Sequence, residues 1–132
     1  MREILFRGKE FDNKWVYGHY VFNGELNQSS NGHLIINNKG TYQIDPSTLG
    51  QFTGLQDKNG KDIYDGDIVK IPDDYAMYGT NAGEIYKIYF AYGGFRLKPK
   101  YSKKAKGCWL EDDKEVIKLG NIHDNKELID NV

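Results

Sequence analysis

Residues Thr53–Ile71 read TGLQDKNGKDIYDGDIVKI, and this stretch decides the fold class. At its centre, Asn59-Gly60 is a strong hairpin signal. Both central residues of a type I′ turn need φ > 0, which Asn and Gly tolerate best. A second reversal follows at Asp65-Gly66, where Gly66 is expected to mark a bulge or a close backbone approach. Beyond Asp67, the run Ile68-Val69-Lys70-Ile71 is β-branched and apolar with one polar break, which suits a strand with a buried face. The stretch speaks of architecture and names no reaction.

Outward from it, the same pattern recurs. On the N-terminal side, Glu3–Arg7 and Lys14–Phe22 read as strands, with Gly18 suggesting a bend in the second. His33–Ile36 and Thr41–Ile44 read as a hairpin, ended by Asp45-Pro46, and Ser47–Phe52 as a turn or short strand. On the C-terminal side, residues 72–83 read as a loop. Glu84–Phe90 reads as a strand with Tyr86, Ile88 and Phe90 on its core face. The chain then turns through Gly93-Gly94, and Glu115–Leu119 is the last strand. A helical turn over Asn121–Leu128 is expected, with Asp124 as its cap.

A chain of 132 residues fits one domain, or one domain with an extension, and can bury a core. Aromatic residues are 14% of the total, mostly the ten Tyr, which favours sheets. The net charge of −1 gives no global bias toward nucleic acid or membrane. Nor is charge segregated along the chain. Before Asp57, Arg2, Arg7, Lys9, Lys14 and Lys39 balance Glu3, Glu10, Asp12, Glu25 and Asp45. Cys108 is the sole cysteine, so no internal disulfide forms, which fits a reducing cytoplasm. The N-terminus lacks the apolar region of a signal peptide, and no apolar run is long enough to span a bilayer.

Few residues point to chemistry. His19, His33 and His123 have no metal-ligand spacing, and Cys108 has no Cys partner, so neither metal nor cofactor is expected. In DKNGKD, Asp57–Asp62, the glycine is misplaced for a calcium loop, and the twelfth position is Ile68 rather than Glu. Asp62, Asp65 and Asp67 could form a carboxylate cluster, although Asp and Gly are also what turns prefer. Trp15, Tyr17, Tyr20 and Phe22 form an aromatic stripe, read first as packing and otherwise as an exposed patch for self-association or a host protein. The best candidate binding surface is the basic run RLKPKYSKKAK. It holds Arg96, Lys98, Lys100, Lys103, Lys104 and Lys106, with Tyr101 available to stack on a base. Against it stands a solvated loop neutralised by Glu111, Asp112, Asp113 and Glu115.

Five segments together carry a family resemblance. They are Phe6-Arg7-Gly8-Lys9, Lys14-Trp15-Val16-Tyr17-Gly18, Gly50–Leu55, Asp57–Val69 and Gly120-Asn121-Ile122-His123-Asp124-Asn125. In this order they resemble the YopX-like proteins, small proteins encoded by bacterial phages and prophages. The resemblance implies a mostly β protein with an SH3-like barrel, made in the host cytoplasm. It implies no catalytic site.

The expected architecture is therefore mostly β: a small antiparallel, SH3-like barrel with an N-terminal β-hairpin extension. Residues 1–56 would be the hairpin region and residues 57–132 the barrel region, unless the two form one compact unit. The expected function is a non-enzymatic binding or interaction module in the host cytoplasm. Its partner would be a host or phage protein or a second copy of itself, with no membrane involved. The alternatives are a nucleic-acid-binding accessory protein using residues 96–106, and an enzyme, which no motif supports.

Overall fold

Short alternating runs separated by turn residues fold into antiparallel sheets in two units. The computed structural model describes residues 4–24, 32–73, 83–99, 108–109 and 115–130. The units are Met1–Phe52 and Thr53–Val132, so the divide falls before the expected 56/57 boundary and inside a strand.

In the first unit the strands are β1 (Phe6–Lys9), β2 (Trp15–Phe22), β3 (His33–Asn37), β4 (Gly40–Gln43) and the start of β5 (Asp45–Gln56). They lie in the order β4-β3-β2-β1-β5, with antiparallel pairing throughout. Val16, Ile35 and Ile44 form the core, with Phe6, Tyr20, Tyr42 and Leu49 packed on it. Burying such side chains contributes about 1.5–3 kcal/mol each. A Cβ at Gly18 would collide with the Ile36 carbonyl oxygen, so this glycine permits close strand approach. The unit is a sheet with its own core, not a hairpin extension. Asp45-Pro46 begins a strand rather than ending a pairing. Proline is tolerated there because ladder N–H groups are not yet needed at a strand's start.

In the second unit the end of β5 lies beside β6 (Asp62–Tyr64). β7 (Asp67–Lys70), β8 (Ile85–Ala91), β9 (Gly94–Pro99), β10 (Cys108–Trp109) and β11 (Ile117–Asn121) follow. These five form a sheet in the order β10-β9-β8-β7-β11. Its core is Ile63, Val69, Ile71, Tyr86, Ile88, Leu97 and Val116, with Phe95 packed against it. β10 and β11 stand at the two edges, and among the described residues the strands close no barrel. The chain ends in one short helical turn, α1 (Glu127–Asp130), which starts later than expected.

Candidate nucleic-acid interface

Among the described residues of the second unit, two groups of charged side chains bear on a site: one tied to backbone in the Asp57–Asp67 stretch, the other on the face of the β8–β9 hairpin opposite the core.

The inward group lies in the Asp57–Asp67 stretch. Asp57 is buried. Its Oδ1 accepts the N–H groups of Asn59 and Lys61, both at 2.8 Å, and its Oδ2 accepts the N–H of Lys118 at 2.9 Å. Burial would raise this carboxyl. The three N–H donors and the Lys61 charge outweigh burial and hold the group below the usual carboxylate range. The backbone closes the same turn, with Asp57 N–H donating to the Lys61 carbonyl and Gly60 N–H to the Asp57 carbonyl. Gly60 has φ +82°, while Asn59 keeps a negative φ. The hairpin is therefore a type I turn with a glycine bulge, not the expected type I′ turn. The carboxylate gripping two N–H groups of the loop selects that form.

Asp67 is fully buried. Its Oδ2 accepts the Tyr64 N–H at 2.7 Å and lies 3.1 Å from Lys118 Nζ. The same Nζ donates to the Asp62 carbonyl at 3.0 Å. Lys118 thus meets Asp57 through its backbone and Asp67 through its side chain. The Asp62 carboxylate points elsewhere, accepting from Gln56 Nε2 at 3.0 Å. Asp62, Asp65 and Asp67 do not gather as metal ligands would, and the Asp62 and Asp67 carboxylates each serve a local tie. Gly66 has φ +93°; its N–H donates to the Ile88 carbonyl, and its carbonyl accepts from Ile122 N–H.

The Gly120–Asn125 segment is a knot of asparagines. Asn121 Oδ1 accepts the N–H groups of His123 and Asp124 at 2.9 Å, and Asn125 Oδ1 accepts that of Asn121 at 3.1 Å. Asp124 also braces this turn, its Oδ2 accepting from Asn121 Nδ2 at 3.2 Å. Thr53 Oγ1 donates to the Ile63 carbonyl at 2.7 Å. In the first unit, Arg7 is buried with its guanidinium 4.6 Å from the Trp15 ring centre. Arg7, Thr53, Asp57, Asp67 and Asn121 all lie in the segments with a family resemblance, and Thr48 is the one other buried polar residue among those described.

The other early candidates scatter. Tyr20 Oη and His33 Nδ1 share a hydrogen bond of 2.5 Å, while His19 and His123 are exposed. Among the described residues, no three His, Cys, Asp or Glu side chains gather as metal ligands would. Of the aromatic stripe, Tyr20 packs on the core and Tyr17 and Phe22 are exposed. An open groove of about 370 Å³ lies beside Trp15 and Tyr17, walled by Lys14, Asn37, Lys39 and Tyr42.

The outward group begins with the basic run. Arg96 and Lys98 stand on β9, while Lys100, Tyr101, Lys103, Lys104 and Lys106 lie outside the described residues. In register, Arg96 opposes Tyr89 and Lys98 opposes Lys87. The core side chains Tyr86, Ile88 and Leu97 alternate with these four, which share the other face. The connecting turn is Tyr92-Gly93, not Gly93-Gly94, since Ala91 pairs with Gly94. Both turn residues have positive φ, 55° at Tyr92 and 82° at Gly93, as a type I′ turn requires. Tyr92 is 87% exposed, and the Arg96 guanidinium stands 5.5 Å from its ring centre. The basic run led to Arg96 and Lys98 but not to Lys87, Tyr89 or Tyr92. The alternation in Ile85–Ala91 carried that information, because it places Lys87 and Tyr89 opposite the core face.

Comparisons with known proteins place this geometry. No curated protein matches the chain. Among solved structures, the crystal structure of protein EF1440 from Enterococcus faecalis is similar in fold, with a TM-score of 0.55 and 21% identity over 98% of this chain and 99% of that one. The family model for YopX protein matches residues 5–130, nearly the whole chain, and the protein therefore belongs to the YopX family.

Proposed function

We propose that this YopX-family protein is a non-enzymatic binding module of phage or prophage origin, working in the cytoplasm of a bacterial host. The observation that carries the reading is the use of its inward polar groups. Asp57, Asp67, Thr53 and Asn121 are engaged with backbone N–H or carbonyl groups, so the acids and amides of the family-like segments act as braces. What remains for recognition is outward: Tyr17 and Phe22 on the first unit, and the β8–β9 hairpin on the second. Exposed aromatics of this kind anchor interfaces. The SH3-like comparison for the second unit is an analogy of strand succession and assigns no ligand. No described helix is long and apolar enough to cross a membrane.

A second reading, a nucleic-acid-binding accessory protein, is favoured by the placement of Arg96 and Lys98, at the start of the basic run, on the β9 face opposite the core. One experiment tests both. The protein serves as bait in extracts of the phage-bearing host, with and without nuclease, and retained material is read by mass spectrometry and by nucleic-acid staining. A protein retained in both arms supports the binding module. Retention lost on nuclease treatment supports the second reading. Material no different from an unrelated bait in either arm overturns both.

A further inference from the structure

We infer that the outward face of the β8–β9 hairpin, built by Lys87, Tyr89, Tyr92, Arg96 and Lys98, is a binding surface for single-stranded nucleic acid. The inference deepens the second reading above: it moves the site from the basic run onto a rigid sheet face and specifies the strandedness of the ligand.

Three observations converge. First, Lys87 and Lys98 are direct cross-strand partners. Like charges directly opposite each other destabilise a strand pair. Neither lysine has an ion-pair partner among the described residues. An anion bridging the two would turn that repulsion into attraction, and a phosphate is such an anion.

Second, cations alternate with aromatics. Tyr89 opposes Arg96 two pairs nearer the hairpin tip than Lys87–Lys98, which makes it the next pair on the same face. Half-exposed rings between phosphate-binding cations are the arrangement on which unpaired bases stack, and duplex bases have no free face to offer.

Third, the tip is built at a conformational cost. Tyr92 sits at φ +55°, where a bulky L-residue is rarely found, although its neighbour Gly93 fits such a position freely. Its ring is 87% exposed, so packing does not account for tyrosine there. Strain of this sort points toward function. The ring stands out from the hairpin beside the Arg96 guanidinium, ready to take the end of a stacked run.

The test is fluorescence anisotropy with labelled oligothymidylate, labelled oligouridylate and a length-matched DNA duplex. The full chain is compared with Lys87→Glu/Lys98→Glu and with Tyr92→Gly, each checked for folding by circular dichroism and thermal melting. The wild type should bind the single strands more tightly than the duplex, with log affinity falling by about 0.7 per phosphate contact against log salt. The charge-reversed pair should weaken binding at least about tenfold. Tyr92→Gly should weaken it about tenfold while raising the melting temperature, a combination that a merely structural tyrosine would not give. Tighter binding of oligouridylate would identify RNA as the ligand, and equal binding would identify single strands of either sugar. Undiminished binding in both variants would overturn this face and leave the basic run as the site. Preference for the duplex would overturn the stacking surface. Absence of binding to any oligonucleotide would overturn both this inference and the nucleic-acid reading, with the protein-binding module left standing.

Discussion

The Asp57–Asp67 hairpin and the β8–β9 hairpin are both strand–turn–strand units rich in charge, and they use it in opposite ways. In the first, each buried carboxylate meets backbone N–H groups, and Lys118 reaches both acids. In the second, Lys87 faces Lys98 and an exposed tyrosine occupies a glycine-like turn position. Buried polar groups tied to backbone by hydrogen bonds specify a structure. Like charges that face each other across a strand pair add nothing to folding. The contrast teaches that in this chain the motif-rich segment is the brace and the plainer segment is the candidate surface.

That contrast can be broken at several points. The largest effect is expected at Asp67, whose removal leaves the Lys118 ammonium and the Tyr64 N–H without their buried acceptor. Asp67→Ala should cost about 3 kcal/mol, read from urea unfolding. Gly66→Val should cost more than about 1 kcal/mol, because φ at this site is +93° and a β-branched residue is strained there. An unchanged denaturation midpoint would show that Gly66 has no special backbone role.

Asp57 gives a pH test whose sign is fixed. Its folded carboxyl lies below the ordinary range, so it contributes stability above about pH 4, the unfolded value. That contribution is lost as pH falls through the lower folded value. Asp57→Asn should cost about 1 kcal/mol at neutral pH. The gap between the two proteins should then close as the solution is acidified through that window; a gap constant with pH would remove the charge from the account. The smallest effect is expected on the outward hairpin. Lys98→Thr relieves the repulsion from Lys87 and should stabilise by about 0.3 kcal/mol. A loss of stability there would mean that Lys98 also serves the fold.

Much of the framework was legible in the sequence, and the departures have physical causes. Turn residues and β-branched runs indicated most strands of both units, though not β10, and the alternation in Ile85–Ala91 placed Tyr86 and Ile88 in the core, whereas Phe90, expected beside them, is exposed near the hairpin tip. The turn types were exchanged. Asn59-Gly60 looked like a type I′ pair, but the Asp57 carboxylate holds the loop in another form. The type I′ geometry appears instead at Tyr92-Gly93, where tyrosine hides it from composition. Ser47–Phe52, which reads as a turn or short strand, is the middle of the long β5, where the pairing with β1 overrides local preference. Sequence left both a carboxylate cluster and plain turn chemistry open for Asp62, Asp65 and Asp67, because Asp spacing shows which residues are near in sequence but not which N–H groups their oxygens reach. On the surface, the run of lysines drew attention to residues 96–106, while the opposition of Lys87 and Lys98 exists only once the register is known.

The central claim is that the charged residues of the family-like segment are structural partners. A double-mutant cycle between Asp67 and Lys118 tests it most directly, because Lys118→Ala keeps the backbone N–H that binds Asp57 and removes only the ammonium. Urea unfolding of the wild type, Asp67→Ala, Lys118→Ala and the double variant should give a coupling free energy above about 1 kcal/mol. Additivity within about 0.3 kcal/mol would contradict the account, because the buried acid would then owe its place to something other than its lysine.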